Sequence, residues 1–425
     1  MPDVYRDEEE HSPPTTPASP EPSLFEKCHE FTDESGPYAQ AKAADLYPYF
    51  RPIERNEGTT AIMNGDEVIM AGSNNYLGLT SDKRVKEAAR EAVSKYGTGC
   101  TGSRFLNGTL DLHLELEERL ADFLGRESCV LFSTGYMTNE GVVQGITSKG
   151  DYIFSDKGNH ACIVAGTKAS LAETRRYRHD DMDHLRTMLE RAHSENPDAG
   201  KLIATDGVFS MSGTIAQVPE LLDLAEEFDA ALMLDDAHAV GVVGPGGRGS
   251  AATFGEGPMG RLPDVHDVIE YLRHEASTHI FSASMPPASV ATVLKCLEIL
   301  QEEPERLERL WEISDYMRSG FRELGFDVWT SQSPIIPVVV GDMETCFRFW
   351  RDLIAEGVFV NAVVPPAVRP GQCLMRTSYM ATHSDEELDH ILDAFERVGA
   401  KHGVIGGGSG ADSGSEAIHA NGRPS

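Results

Sequence analysis

Lysine is scarce in this chain of 425 residues: it supplies 11 of the 37 basic side chains, and none lies between Lys201 and Lys295. Basic residues as a whole are outnumbered by 68 acidic ones, for a formal charge of −31. Neutralising phosphates needs a basic surface, so nucleic acid is excluded as the expected partner, and an anionic membrane with it. Acid excess with little lysine suits the hydrated, self-repelling surface of salt-adapted proteins. The seven cysteines stand at 28, 100, 129, 162, 296, 346 and 373, odd in number and never in a C-x-x-C pair. That pattern offers neither a disulfide framework nor a structural zinc site, so no metal is expected, and it fits a reducing compartment. No apolar run is long enough to span a bilayer. The opening stretch, MPDVYRDEEEHSPPTTPASP, has neither a basic start nor an apolar core and does not read as a secretory signal. A soluble, cytoplasmic protein is expected, without repeats of solenoid period.

What the chain does contain is an apolar fraction of 40%, enough for a sizeable core. Residues 1–22 are acidic and rich in Pro, Ser and Thr, and residues 401–425 are rich in Gly and Ser; both read as disordered tails. Between them, short apolar runs ending in Gly, Ser, Thr, Asn or Asp predict strands at Val68–Gly72, Cys129–Ser133, Tyr152–Ser155, Leu202–Thr205 and Ala231–Leu234. Apolar spacing of the 3.6 type predicts helices over Asp82–Tyr96, Leu110–Leu124 and Pro219–Phe228. This alternation is that of an α/β fold with a mostly parallel sheet covered on both faces. Further on, two long helices (Ser289–Gln301 and Pro304–Leu324) precede short strands at Ile335–Val340, Val358–Asn361 and Cys373–Thr377, and a last helix spans Asp385–Val398. The expected division is an N-terminal arm (23–69), a large domain (70–282) and a small α+β domain (283–400).

In open α/β sheets, ligands sit beyond the carboxyl ends of the strands. Four strand ends carry polar signals here. Thr134-Gly135-Tyr136 opens a helix, either as an anion cradle or as an ordinary strand–helix turn. His160 either stacks on a flat ring or caps the next helix. Asp206-Gly207-Val208-Phe209-Ser210 forms a Gly-punctuated polar loop. Asp235-Asp236-Ala237-His238 puts a carboxylate at a central strand tip, where burial is costly without a cation. A pyridinium nitrogen is one such cation; a metal pair and a helix cap are the other readings.

Together with GSNNYLGL (72–79), YGTGCTGSRFLNGT (96–109), FSTGYMTN (132–139), SDKGNHACI (155–163), TDGVFSMSG (205–213), DDAHAVGVVGPGGRG (235–249), FSASMPPASVA (281–291) and LMRTSYMATH (374–383), this set resembles the α-oxoamine synthase family of fold-type I pyridoxal-phosphate enzymes. The flavour is closest to members of the serine palmitoyltransferase and 8-amino-7-oxononanoate synthase kind. The resemblance implies a decarboxylative condensation of an amino acid with an acyl thioester, carried by CoA or acyl carrier protein, on bound pyridoxal 5'-phosphate. It further implies that Gly135 and Tyr136 hold the phosphate, His160 stacks on the ring, Asp235 pairs with the pyridine nitrogen, and His238 and Ser210 serve the ring oxygen side. Arg376, with Asn75 nearby, would bind the amino-acid carboxylate. Ser282 and Ser284 would reach the phosphate across a dimer interface.

One departure stands out. The family's cofactor-attaching lysine lies in a G-T-x-S-K motif about thirty residues beyond the position of Asp235. Here GGRGSAATFGEG (246–257) runs through PMGRLPDVHD directly into VIEYLRHEASTHIFSAS. The lysine strand and the Gly-Gly strand after it have no counterpart, so a central sheet two strands short is expected. Thr147-Ser148-Lys149-Gly150 reads as a surface turn, Lys157 as solvated, and Arg248, Arg261 and Arg273 cannot replace an amine because guanidinium stays protonated. The alternative to an acyltransferase is therefore a catalytically inactive paralogue, or a non-catalytic dimer partner of a competent subunit.

Overall fold

In a computed structural model, residues 23–255, 261 and 265–406 are described. The tail expected at 1–22 and residues 407–425 of the C-terminal tail lie outside the described residues. Two compact units divide at Tyr49/Phe50. The first holds α1 (Glu26–Thr32) and α2 (Pro37–Ala43), with Phe31 stacked on Tyr38 at 4.9 Å between ring centroids.

The second unit begins with β1 (Arg55–Asn56), β2 (Thr60–Met63) and β3 (Asp66–Met70). Then come α3 (Lys83–Tyr96) and α4 (Asp111–Leu124). The Asp82 carboxylate caps α3 by accepting from the Arg84 N–H, and Gly97 and Gly125, at φ 86° and 62°, end the two helices. The middle of the unit runs α5 (Gly135–Ile146), β4 (Tyr152–Asp156), α6 (Ala161–Ala169), β5 (Glu173–Tyr177), α7 (Met182–Glu195), β6 (Lys201–Asp206), α8 (Val218–Phe228) and β7 (Ala231–Asp235). After the junction come α9 (His266–Glu275), α10 (Ser277–Ile280), α11 (Pro287–Glu302) and α12 (Glu305–Glu323). The chain closes with β8 (Ile335–Gly341), α13 (Met343–Ala355), β9 (Val358–Phe359), β10 (Asn361–Val363), β11 (Cys373–Ser378) and α14 (Asp385–Lys401).

The order β5-β4-β6-β7 forms a four-stranded sheet, parallel throughout. Alternate residues of β4 and β6 feed two cores. Phe154 and Ile203 pack with Leu185, Leu189 and Leu221 of α7 and α8 on one face. Ile153, Leu202 and Ala204 pack with Val143 and Ile163 of α5 and α6 on the other. A second sheet, β10-β11-β8, is antiparallel and packs with α12, α13 and α14 around Phe321, Phe349 and Phe395. Val358–Asn361, expected as one strand, is two: β9 pairs in parallel with β3, and β10 joins β11 after the break at Val360.

Every residue of β4 and β6 is buried, but β7 is exposed or half-buried along its length. Among the described residues it pairs with β6 alone, so the sheet ends beside Asp235. Cys129–Ser133, expected as a strand, is not one. An extended segment counts as a strand only when a neighbour completes its ladder, and among the described residues no strand pairs with it. Side chains satisfy its backbone instead. The Leu131 N–H donates to Glu117 Oε1 at 2.9 Å, and the Arg273 guanidinium donates to the Cys129 carbonyl at 2.9 Å. Glu117, itself buried, also accepts from Arg104 at 2.8 Å and from the partly exposed Arg273 at 3.1 Å. Phe132 packs on Leu272 and Ala276 from the far side of the junction.

Candidate functional site

Three adjacent parallel strands, β4, β6 and β7, each end in aspartate: Asp156, Asp206 and Asp235. Asp206 and Asp235 are register partners across the β6–β7 ladder. Two carboxylates so close repel, and burial removes the water that would screen them. Burial first, and then the Asp235 charge, push Asp206 up to about 7. The third carboxylate has its own partners: Asp156 accepts from the N–H groups of Gly158 and Asp180 and is paired with His179 at 3.0 Å.

Asp235 is held from two sides. Asn139 Nδ2 donates to its Oδ2 at 2.7 Å, and the Ala237 N–H donates to its Oδ1 at 3.0 Å. Asn139 lies one turn into α5, so the helix that begins at Gly135 and Tyr136 also orients the carboxylate. Thr134 caps that helix through its side chain, which accepts from the Met137 N–H. The first amides of α5 thus face outward at a helix N-terminus, and the space beside Gly135 is open.

His160 is half of a local device. Its backbone N–H donates to Asp206 Oδ2 at 2.8 Å, while its Nδ1 accepts from the Cys162 N–H at 3.3 Å and lies 2.8 Å from the Cys162 thiol. The helix-cap reading therefore holds, and the ring remains exposed. Burial and the Asp235 charge push the Cys162 thiol up to about 11, so it stays protonated.

On the opposite side, His238 Nδ1 lies 2.9 Å from the Tyr76 hydroxyl. Burial, reinforced by the Arg376 cation, pulls His238 down to about 4, so its imidazole is neutral. Arg376, 5% exposed on β11, donates through Nε to the Ser210 carbonyl at 2.6 Å and through Nη2 to Tyr76 at 3.4 Å. Asn75 Oδ1 accepts from the Thr80 N–H at 3.2 Å. Ser210, Arg376, Tyr76 and His238 are thereby one connected group. Ser284 lies elsewhere, buried, with its N–H and hydroxyl both donating to the Gly102 carbonyl; Ser282 beside it is half-buried.

Sequence reasoning gave no role to Asn139, Cys162, Asp206 or Tyr76. Each sits inside a stretch quoted above, and only Asn139 carried a local signal, at i+4 from the helix-opening Gly135. Lys149 and Lys157 are exposed, as expected of turn residues.

A pyridine ring bearing a phosphate fits the donor set: outward amides for the phosphate, and a carboxylate crowded by a second one, which a ring cation would relieve. The attaching amine does not have a counterpart, since no lysine occurs from 202 to 294.

The family model described as aminotransferase class I and II matches this chain in two pieces, residues 66–262 and 259–395. The break falls at the junction where the sequence departs from the resemblance. The serine palmitoyltransferase of Sphingobacterium spiritivorum is 45% identical over 375 residues, spanning 84% of this chain and 93% of that one. The 8-amino-7-oxononanoate synthase of Fervidobacterium nodosum is 39% identical over 381 residues, spanning 86% and 96%. Among solved structures, a Lys-to-Ala variant of S. paucimobilis serine palmitoyltransferase with bound PLP–myriocin aldimine is 32% identical, with a TM-score of 0.85 over 90% of this chain and 100% of that one. The Sphingomonas wittichii enzyme is 33% identical, with a TM-score of 0.83 over 88% and 99%.

Proposed function

Because the chain belongs to the class I and II aminotransferase family, and within it to the α-oxoamine synthase group, we propose that it binds pyridoxal 5'-phosphate and is a C-acyltransferase by descent. The substrates are an amino acid and an acyl thioester; the products are an α-amino ketone, CO2 and the free thiol. The observation that carries this reading is the Asn139–Asp235 pair beneath the opening turn of α5.

When bound, the cofactor supplies an electron sink for charge leaving the amino acid's α-carbon. The protein's own groups do the rest. The N–H groups of Gly135 and Tyr136 hold the phosphate, with the helix dipole adding to the attraction. Asn139 holds the Asp235 carboxylate, which would meet the ring nitrogen. Asp206 pins the backbone of His160, whose exposed ring would lie against the cofactor. Neutral His238 offers hydrogen bonding to the ring oxygen, with Ser210 on that side. Arg376 would bind the amino-acid carboxylate, with Asn75 nearby. Ser282 and Ser284 belong to the interface of a dimer, either of two copies or with a competent paralogue. Division of the second unit near residue 283, and a cytoplasmic location, complete the reading. No described helix is long and apolar enough to cross a membrane.

A second reading has an observation of its own. With no lysine from 202 to 294, no amine ties the cofactor down or moves the α-proton, which favours a silent scaffold or a non-catalytic partner. The relative that holds PLP as an aldimine with myriocin despite a lysine replaced by alanine supports retention of binding without that amine. The test is PLP titration by absorbance and equilibrium dialysis, followed by CO2 and free-thiol release with an amino acid and an acyl-CoA. Binding with turnover supports the acyltransferase; PLP binding with no turnover supports the silent scaffold; absence of PLP binding overturns the acyltransferase and leaves the silent scaffold.

A further inference from the structure

A cavity of about 340 Å³ lies between the turn Gly244-Pro245-Gly246 and the helices α11 and α12. That volume falls at the lower end of the ~300–1,000 Å³ of ordinary small-molecule pockets. Pro304, Leu307, Glu308 and Trp311 recur at i, i+3, i+4 and i+7, so one face of α12 and its cap makes a wall. Leu300 of α11 and Pro245 of the turn add to it. The indole N–H of Trp311 donates to the Val242 carbonyl at 2.9 Å, which fixes the ring in place. Leu307, with Trp311 at its margin, belongs to the same apolar cluster as Tyr76, so an occupant would rest against the packing behind the Tyr76–His238 pair. Of the eight lining residues Glu308 alone is charged, and no Lys, Arg or His on the wall neutralises it.

Each feature narrows the ligand. Aliphatic and proline walls favour hydrocarbon, whose transfer from water gains in proportion to the area covered. A fixed indole attracts a cation to its face, more strongly where water is thinned out. A carboxylate without a cation beside it repels phosphates and carboxylates and pairs with an ammonium group. We propose that this cavity binds an amphiphilic primary amine, with its hydrocarbon on Leu300, Pro304 and Leu307 and its ammonium group between Trp311 and Glu308. The inference goes beyond the acyltransferase reading and does not depend on it, because no residue given a place at the cofactor lines the cavity.

The test titrates the whole cofactor-free protein with octylamine, with octanol as the uncharged chain and propylamine as the cation without a tail. Binding is read by calorimetry and by tryptophan emission; the chain has three tryptophans, at 311, 329 and 350. Octylamine should bind saturably and at least about fivefold more tightly than either control, since the ion pair and the indole each add a modest attraction. Trp311→Phe should abolish the emission change. Glu308→Gln, at an exposed position, should bring octylamine to within about twofold of octanol and leave octanol as it was. Octylamine binding no tighter than octanol overturns the proposal. So does undiminished octylamine binding in Glu308→Gln, which marks general adhesion of a cation to a chain of charge −31. Should Trp311→Phe fail to fold, hydrogen exchange of the natural protein decides: octylamine should protect amides within 242–247 and 300–311, and protection elsewhere alone, or none, refutes the site. PLP binding is measured apart, so amine binding without PLP binding removes only the acyltransferase reading, and PLP binding without amine binding removes only this one.

Discussion

Replacing Asp206 by Asn should change how stability depends on pH. The Asp206 carboxyl titrates at 3.8 in an unperturbed setting and at about 7 in the folded chain. Between those values the folded protein keeps a proton that the unfolded chain has released, so stability falls as pH rises through the window. Linkage for this one carboxyl in the folded and unfolded states puts the loss from about pH 5 to about pH 8 at roughly 2–3 kcal/mol, reached fully once pH passes the folded value. Asn keeps an oxygen for the His160 N–H and does not ionise. Urea unfolding of cofactor-free protein at steps across that range, for both forms, gives the difference directly. The Asn variant should be the more stable at the alkaline end, and the gap should close toward the acid end. Other raised carboxyls, such as Asp180 and Asp236, are common to both proteins and drop out of the comparison. Parallel stability curves would show that Asp206 does not feel Asp235, and the charge-crowding argument for a cationic ring would go with it.

Three further outcomes are expected. Asp235→Asn should weaken PLP binding by at least about tenfold, because a charge-assisted hydrogen bond is worth ~1.5–3 kcal/mol; unchanged affinity by dialysis would remove its assigned role. Arg376→Ala should weaken amino-acid binding by a similar factor, read by calorimetry, and leave PLP binding in place; if instead the protein unfolds, Arg376 is a structural residue. Borohydride treatment of PLP-loaded protein should leave no pyridoxyl group on any lysine by peptide mass spectrometry, and a modified Lys149 or Lys157 would contradict the loss of attachment.

Much of the parallel sheet was legible because burial on both faces leaves a continuous apolar run, as in Tyr152–Ser155 and Leu202–Thr205, each ended by a polar residue. Helix ends were legible within a residue or two where Asp82, Gly97 or Gly125 stops the pattern. Cys129–Ser133 was misread because its composition is that of a strand while its status depends on a pairing neighbour, and among the described residues none pairs with it. Val358–Asn361 concealed a change of partner at Val360, which leaves no mark on hydropathy. At the site, residues at strand tips announced themselves by position. Tyr76 and Asn139 did not, because each acts through another side chain brought near only by folding, His238 and Asp235; Asp206 stood at a strand tip, but its bond to the backbone amide of His160 leaves no mark on the sequence.

The Glu117 tether has a mechanical consequence. A β-ladder spreads load over many bonds, but the segment leading to Thr134 is held by a few side-chain contacts, among them one carboxylate gripped by two guanidinium groups. Neutralising Glu117 would therefore slacken the approach to α5 without touching a strand pairing.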